Sequence, residues 1–176
     1  AADRNVVGGF LAKGISVRSG TGSLIEGNYI GTNPAGTASA KNPSGTALFT
    51  IYDVTPTPNT GIEAAVAGLT IRGNLISGNA GYGIDVYANG SQATIVGNKI
   101  GSDVTGTQAL GNTGIGILVA QQASATIGGT AASDGNLVVG TAKPLSPAAY
   151  TQGEGIRLDG ATATIQGNLV GVSAGG

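Results

Sequence analysis

The chain has 176 residues, a formal net charge of −1, 10% charged side chains and no cysteine or histidine. A net charge near zero argues against charge-driven binding of nucleic acid or anionic membranes. The absence of cysteine excludes disulfides, and the 40% hydrophobic content argues against disorder. No apolar run approaches the roughly 20 residues of a membrane-spanning helix, so we expect no membrane insertion. The 33 glycines lack the collagen period and predict tight turns.

The first recurring element along the chain is a short strand with the pattern Gly-Ile-x-Val or Gly-Ile-x-Leu. It occurs at residues 14–17, 83–86 and 155–158. Apolar residues alternate with other residues, which is the period of a strand and not of a helix. The pattern therefore predicts that Ile15, Ile84 and Ile156 point inward in one column.

The second element is an isoleucine followed by Gly-Asn-x-Ile or Gly-Asn-x-Val. Its apolar positions predict another inward column, formed by Ile30, Ile76, Ile100 and Val170. Its asparagines are predicted to stack as a hydrogen-bonded ladder at a corner, because asparagine tolerates the left-handed backbone that a corner needs. They are Asn28, Asn74, Asn98, Asn136 and Asn168.

A longer block at residues 27–42 recurs seventy residues later at 97–112 and begins again at Gly167. In a parallel coil, equivalent residues lie roughly 4.8 Å apart along the axis, which explains the repetition of residue types. The chain is therefore predicted to be all-β: one right-handed parallel β-helix domain of about five coils over residues 1–176. Loop inserts rich in proline are expected near 52–61 and 141–153.

Three segments carry a resemblance to a known group. They are the Asn-x-Ile-Gly-Thr block beginning at Asn28, the related block at Asn98 and the Ile-Gly-Gly-Thr run at residues 127–130. The chain resembles bacterial parallel β-helix repeat proteins of the pectin-lyase-like superfamily, and more narrowly secreted and cell-surface proteins built from these repeats. The resemblance implies the fold and an extracellular or cell-surface location. It leaves function open, since such repeats occur in adhesins, surface proteins and carbohydrate-active enzymes.

Catalytic members of that superfamily use clustered acids or a calcium-binding acidic set with a nearby basic residue. None of the nine acids here is adjacent to another, so we expect no catalysis, no metal and no cofactor. The residual candidate is a polysaccharide-binding face formed by outward residues of the first element. Its members are Arg18, Asp85, Tyr87, Arg157 and Asp159. The alternative is that these residues form solvated ion pairs.

Two further outward columns are predicted. Tyr29, Leu75, Leu137 and Leu169 form an apolar strip that is covered either by the chain's own inserts or by another subunit. Thr70, Thr94, Thr126 and Thr164 form a threonine column, which suggests ice binding as a minor alternative to ordinary strand propensity. A single column argues against ice binding.

The leading hypothesis is an extracellular structural or adhesive module of a bacterial surface protein, or a self-associating fibre. The runner-up is a polysaccharide-binding or polysaccharide-cleaving β-helix of the lyase or hydrolase kind. The chain starts and stops within a repeat, so we expect either a fragment of a longer β-helix or an uncapped unit. Its partners are then neighbouring coils of a longer chain or copies stacked head to tail.

Overall fold

The computed structural model describes residues 3–10, 12–40, 59–139 and 153–172, which form β-strands and no helix. The strands in chain order are β1 Val6–Val7, β2 Lys13–Val17, β3 Leu24–Glu26, β4 Tyr29–Ile30, β5 Thr60–Ala64, β6 Leu69–Arg72, β7 Leu75–Ile76, β8 Ile84–Val86, β9 Gln92–Val96, β10 Lys99–Ile100, β11 Ile117–Ala120, β12 Ser124–Gly128, β13 Leu137–Val138, β14 Ile156–Asp159, β15 Thr162–Gln166 and β16 Leu169–Val170.

These strands form three sheets in which every strand pair is parallel. Sheet 1 has the order β14-β11-β8-β5-β2, sheet 2 the order β15-β12-β9-β6-β3, and sheet 3 the order β1-β4-β7-β10-β13-β16. After β1, the chain passes through one strand of each sheet in turn and repeats this path, so that five coils stack on one another. The prediction of a parallel β-helix of about five coils is confirmed.

The core is made of identical or similar side chains stacked in register. In sheet 1 the inward column contains the predicted Ile15, Ile84 and Ile156, with Ile62 and Ile117 between them. The inner members are fully buried, as are Ile30, Ile76 and Ile100 of the sheet 3 column. Stiff β-branched side chains pack well on a pleated face, and each level of the core repeats the packing of the last.

The asparagine ladder lies at the corner between sheets 2 and 3. The backbone and side-chain N–H groups of Asn74 donate to Oδ1 of Asn98 at 3.0 and 3.1 Å, and Asn98 donates likewise to Asn136 at 2.9 Å twice. The second side-chain donation of Asn98 goes back to the Ile71 carbonyl at 2.9 Å. The full ladder, which Asn5 begins, is Asn5, Asn28, Asn74, Asn98, Asn136 and Asn168.

The backbone reason that we gave for asparagine at this corner is wrong. The left-handed conformation belongs to the preceding glycine at most coils, with φ of 67° at Gly27, 62° at Gly73 and 63° at Gly97. Of the described residues, no ladder asparagine has positive φ. Glycine supplies the turn at low steric cost, so the asparagine is selected for its side-chain amide alone.

The apolar strip is covered by the chain itself. Tyr29, Leu75 and Leu137 are 8%, 3% and 6% exposed, so of the two alternatives, coverage within the chain is correct for these three residues and an interface with another subunit is wrong. A Cβ on Gly36 would lie 2.7 Å from the Tyr29 ring and 2.8 Å from the Leu75 side chain, which places the loop after β4 directly on the strip. Only Leu169 remains exposed.

Among the described residues, the segments that cover the strip are the Gly-Thr loops that follow β4 and β10. The backbone N–H of Val104 donates to the Gly36 carbonyl at 2.9 Å, so one loop stacks on the other. Each loop is closed by one side chain: Asp103 Oδ1 accepts from three backbone N–H groups, and Asn33 Oδ1 accepts from two. Most of the insert regions, at 52–58 and 141–152, lies outside the described residues.

The ladder should be a main source of stability, and Asn98→Ala tests it. The variant removes the oxygen that accepts the Asn74 hydrogen bonds and the amide that donates to the Ile71 carbonyl and to Oδ1 of Asn136. Leaving these buried polar groups without partners destabilises the fold. We expect the free energy of unfolding to fall by about 3 kcal/mol in urea denaturation followed by circular dichroism. Asn89→Ala, at an exposed turn, is the matched control and should change little; equal effects at both sites would contradict the ladder's role.

Candidate functional site

The outward face of sheet 1 carries most of the charged side chains singled out from the sequence. One column on this face runs Ser16, Glu63, Asp85, Leu118 and Arg157 in register. Asp85 and Arg157 are therefore not neighbours, since Leu118 lies between them. Arg18 and Tyr87 directly follow β2 and β8, and Asp159 ends β14.

Glu63 is the centre of this face, and the sequence prediction missed it. It is 3% exposed, and its Oε1 accepts from Ser16 Oγ at 2.8 Å and from Arg18 Nε at 3.0 Å. Lys13 Nζ lies 3.3 Å from Oε2. Burial raises the pKa of Glu63, but the Ser16 and Arg18 hydrogen bonds and the Lys13 charge outweigh it and leave the pKa lowered. Glu63 is therefore an ionised, fully paired carboxylate.

Asp85, one coil further along the column, is in the opposite situation. It is half-buried, and the structure gives it no hydrogen bond or ion pair to any described residue; its Oδ1 is buried without a partner. Burial raises the pKa of Asp85 to about 6, with Lys13 lowering it and Glu63 raising it. The carboxyl group is therefore neutral in mild acid and carries an unpaired charge above pH about 6.

Two tyrosines flank these carboxyl groups. The pKa of Tyr87 is raised by burial and by the charge of Glu63, and the pKa of Tyr82 is raised by burial and by the charge of Asp85. Tyr82 was not predicted as a site residue. We call the assembly of Lys13, Ser16, Arg18, Glu63, Tyr82, Asp85 and Tyr87 the Asp85 cluster.

Arg157 and Asp159 form a separate pair at the end of sheet 1. Arg157 lies 3.1 Å from Asp159 Oδ2 and 3.7 Å from Glu154 Oε2, and its side chain is 36% exposed. Exposed pairs of this kind contribute well under about 1 kcal/mol each. The five predicted residues therefore share the outward side of sheet 1 but form two groups. The solvated ion-pair alternative fits Arg157 and Asp159, whereas Arg18, Asp85 and Tyr87 belong to the Asp85 cluster.

The threonine column is present on the outward side of sheet 2, where Thr70, Thr94, Thr126 and Thr164 are in register. A second, mixed column of Gln92, Ser124 and Thr162 lies beside it, and a shallow groove of about 460 Å³ runs between the two. Ice binding stays an untested alternative for this face.

Metal and membrane features are lacking in the part of the chain that the structure describes. No group of three or more acidic, histidine or cysteine side chains within those ranges is arranged to hold a metal ion. Within the same ranges, no helical segment has the length and hydropathy to cross a membrane.

The comparison with protein families agrees with this architecture. A family model described as the right handed beta helix region matches residues 3–170. The chain belongs to the right-handed β-helix family. That family includes both enzymes and non-enzymes, so membership leaves catalysis open. Neither the curated proteins nor the solved structures contain a match to the chain.

The raised pKa of Asp85 predicts a pH-dependent stability. The folded chain binds more protons than the unfolded chain between the ordinary pKa of aspartate and about 6, so the stabilising contribution is present in acid and is lost as pH rises through about 6. Asp85→Asn should therefore leave urea stability unchanged near pH about 4 and increase it by about 2 kcal/mol near pH about 8.

The matched control for this experiment is Asp159→Asn, because Asp159 is an aspartate of the same sheet face with a side chain 62% exposed. We expect its stability to follow the wild type at both pH values. An Asp85→Asn variant that is no more stable than the wild type at the higher pH would show that Asp85 is adequately solvated or paired.

Proposed function

We propose that this chain is an adhesive module of an extracellular protein, in which a rigid β-helix presents the Asp85 cluster to a polysaccharide. The observation that carries the proposal is the half-buried Asp85 carboxyl group, whose Oδ1 has no hydrogen-bond partner among the described residues and whose charge, together with burial, raises the pKa of both Tyr82 and Tyr87. Sugar hydroxyl groups are donors that pair with a carboxylate, and aromatic rings pack against the apolar faces of sugar rings. The cluster offers both contacts on one surface.

The scaffold supports this role because it fixes the position of each side chain. Glu63 and Asp85 lie on adjacent strands of a fully paired sheet, in which the Ile84 N–H donates to Gly116 O at 2.9 Å and the Ile62 N–H to Gly83 O at 3.0 Å. Sites built on sheet strands keep their geometry better than sites on loops. The side chains that contact the ligand are therefore ordered when the chain folds, and binding does not require further loss of their conformational entropy.

We propose binding without cleavage. Both Glu63 oxygens are occupied, one by Ser16 and Arg18 and the other by Lys13, and such a carboxylate is poorly placed to attack a substrate or to activate water. One observation favours the second candidate, a glycan-cleaving enzyme: the ionised Glu63 lies one coil from Asp85, whose pKa is about 6. Such divergent carboxyl groups are typical of an acid and base pair.

Location and partners complete the proposal. The narrower resemblance to secreted bacterial repeat proteins, carried by the block that begins at Asn28, supports an extracellular or cell-surface location. Ile165 in the last described coil is 44% exposed, whereas Ile127 at the same position one coil earlier is fully buried. We propose that a further coil covers this surface, supplied by a longer chain or by a stacked copy.

Affinity electrophoresis in gels containing neutral, basic or acidic polysaccharides tests this function. Wild-type chain should be retarded by at least one of them, and Tyr87→Ala and Asp85→Ala should each weaken binding about tenfold, equivalent to about 1.4 kcal/mol. Thr126→Ala, exposed on sheet 2, is the control and should bind as the wild type does.

Two results decide between the candidates. New reducing ends or unsaturated products after incubation, lost in Asp85→Ala, would favour the enzyme over the adhesive module. Binding that is unaffected by both substitutions, in variants with wild-type circular dichroism, would place the ligand elsewhere on the molecule.

A further inference from the structure

The corner that joins β8 to β9 carries a chemically reactive pair of residues. Asn89 and Gly90 lie at its tip, both are exposed, and they form the single Asn-Gly pair of the chain. We infer that Asn89 is a site of spontaneous deamidation, at which the side-chain amide is converted to aspartate and isoaspartate while the coil stays folded. This inference is independent of the proposed function.

The corner is a β-turn whose tip is open to water. The Ser91 N–H donates to the Ala88 carbonyl at 3.1 Å, and the φ of 82° at Gly90 is typical of the third position of a type II turn. Neither the Gly90 N–H nor the Asn89 side-chain amide makes a hydrogen bond to a described residue. A Cβ on Gly90 would meet no described atom within 4 Å beyond its chain neighbours.

Both groups that react in deamidation are therefore accessible. The Gly90 nitrogen is an unhindered nucleophile because glycine has no Cβ. After losing its proton to base, it attacks Cγ of Asn89, a C–N bond closes a succinimide ring, and the side-chain nitrogen leaves as ammonia. Water then adds to either ring carbonyl and breaks one C–N bond of the ring, which leaves aspartate or isoaspartate. The net reaction consumes one water and releases one ammonia.

The ladder asparagines are protected from the same reaction. Asn74 and Asn98 are 2% and 1% exposed, and the side-chain amide of each donates to a carbonyl of the preceding coil at 2.9 Å. The nitrogens that would attack them belong to Leu75 and Lys99, and both donate to the preceding coil, at 2.9 and 2.8 Å. Cyclisation at these positions would break buried hydrogen bonds of the core, whereas at Asn89 it breaks none of those described.

The coil can accommodate the product because this corner has no fixed length. It spans residues 18–23 after β2 but only 160–161 after β14, yet the strands on either side stay in register. Isoaspartate lengthens the main chain by one carbon, which is a smaller change than these differences between coils. The reaction therefore adds a negative charge two residues after Tyr87 without disturbing the sheets.

Peptide mapping of the aged, folded chain tests the inference. The chain is incubated in mildly alkaline buffer, which favours the deprotonated nitrogen, and is then unfolded and digested with trypsin in mild acid. Cleavage after Arg72 and Lys99 releases one peptide with four asparagines, of which three are internal controls. They are Asn74, Asn79, Asn89 and Asn98.

We expect Asn89 to lose its amide about tenfold faster than the other three, because exposed asparagine is thermolabile. Tandem mass spectrometry locates the conversion, and methylation by an isoaspartyl methyltransferase measures the isoaspartate. The aged chain should keep the circular dichroism spectrum and the urea midpoint of the fresh chain.

Two variants identify the reacting groups. Asn89→Gln keeps an amide at the tip but requires a larger ring, so conversion at this position should fall below detection. Gly90→Ala should slow conversion about tenfold, because a Cβ beside the nitrogen hinders its approach. Asn89→Gln leaves Gly90 and its positive φ in place and is expected to fold, which circular dichroism checks.

Three results would overturn the inference. One is an Asn89 that keeps its amide in the folded chain but loses it in urea, since the turn would then protect it. Another is equal conversion of Asn74, Asn79 and Asn98 in the folded chain, because exposure at the corner would then not be the cause. The third is loss of the β-sheet signal in step with conversion, which would show that the corner cannot accommodate the product.

Discussion

The constraint on which this structure depends is register: each residue must stack on its equivalent in the next coil. The asparagine ladder enforces it, because the side-chain amide of Asn98 is satisfied only when Asn74, Asn136 and the Ile71 carbonyl lie at the right level. A slip by one residue would leave these buried groups unpaired and would turn the isoleucine columns outward. The ladder and the columns therefore specify the same pairing, one through hydrogen bonds and the other through packing.

Register also brings like residues together where that is unfavourable. In the sheet 1 column it places Asp85 next to Glu63, so that two carboxyl groups share one surface. The two carboxyl groups have different surroundings. Glu63 is paired with Ser16, Arg18 and Lys13, and its pKa is lowered, whereas burial raises the pKa of Asp85 to about 6. The energetic conflict is concentrated on one residue, and a position where local rules conflict is a good candidate for function.

The fold was predictable because the same few interactions recur in every coil and involve most of the chain. The Gly-Ile-x-Val and Gly-Asn-x-Ile elements identified the inward columns and the ladder without any knowledge of distant contacts. The errors arose where the repeat is blurred. Residues 61–64 carry the same element with alanine in its last place, which hid Ile62 and Glu63. Two consecutive Gly-Ile pairs precede Leu118, so the sequence did not show which of them begins the strand, and Leu118 was missed as an outward residue between Asp85 and Arg157.

The site was less predictable than the fold because it depends on coil order and on loop placement. The sequence placed Asp85 and Arg157 on one face, but the coil order that puts Leu118 between them was not recognised. Coverage of Tyr29 and Leu75 by the loop at Gly36 depends on contacts between coils that no local pattern encodes.

The two exposed faces differ for the same reason. On sheet 2 the threonines repeat in register and produce a uniform neutral surface, whereas on sheet 1 the repeat is broken at x of Gly-Ile-x, where the side chain points away from the inward columns. Chemistry specific to this chain can accumulate at that position because the backbone and the inward side chains alone maintain the coil.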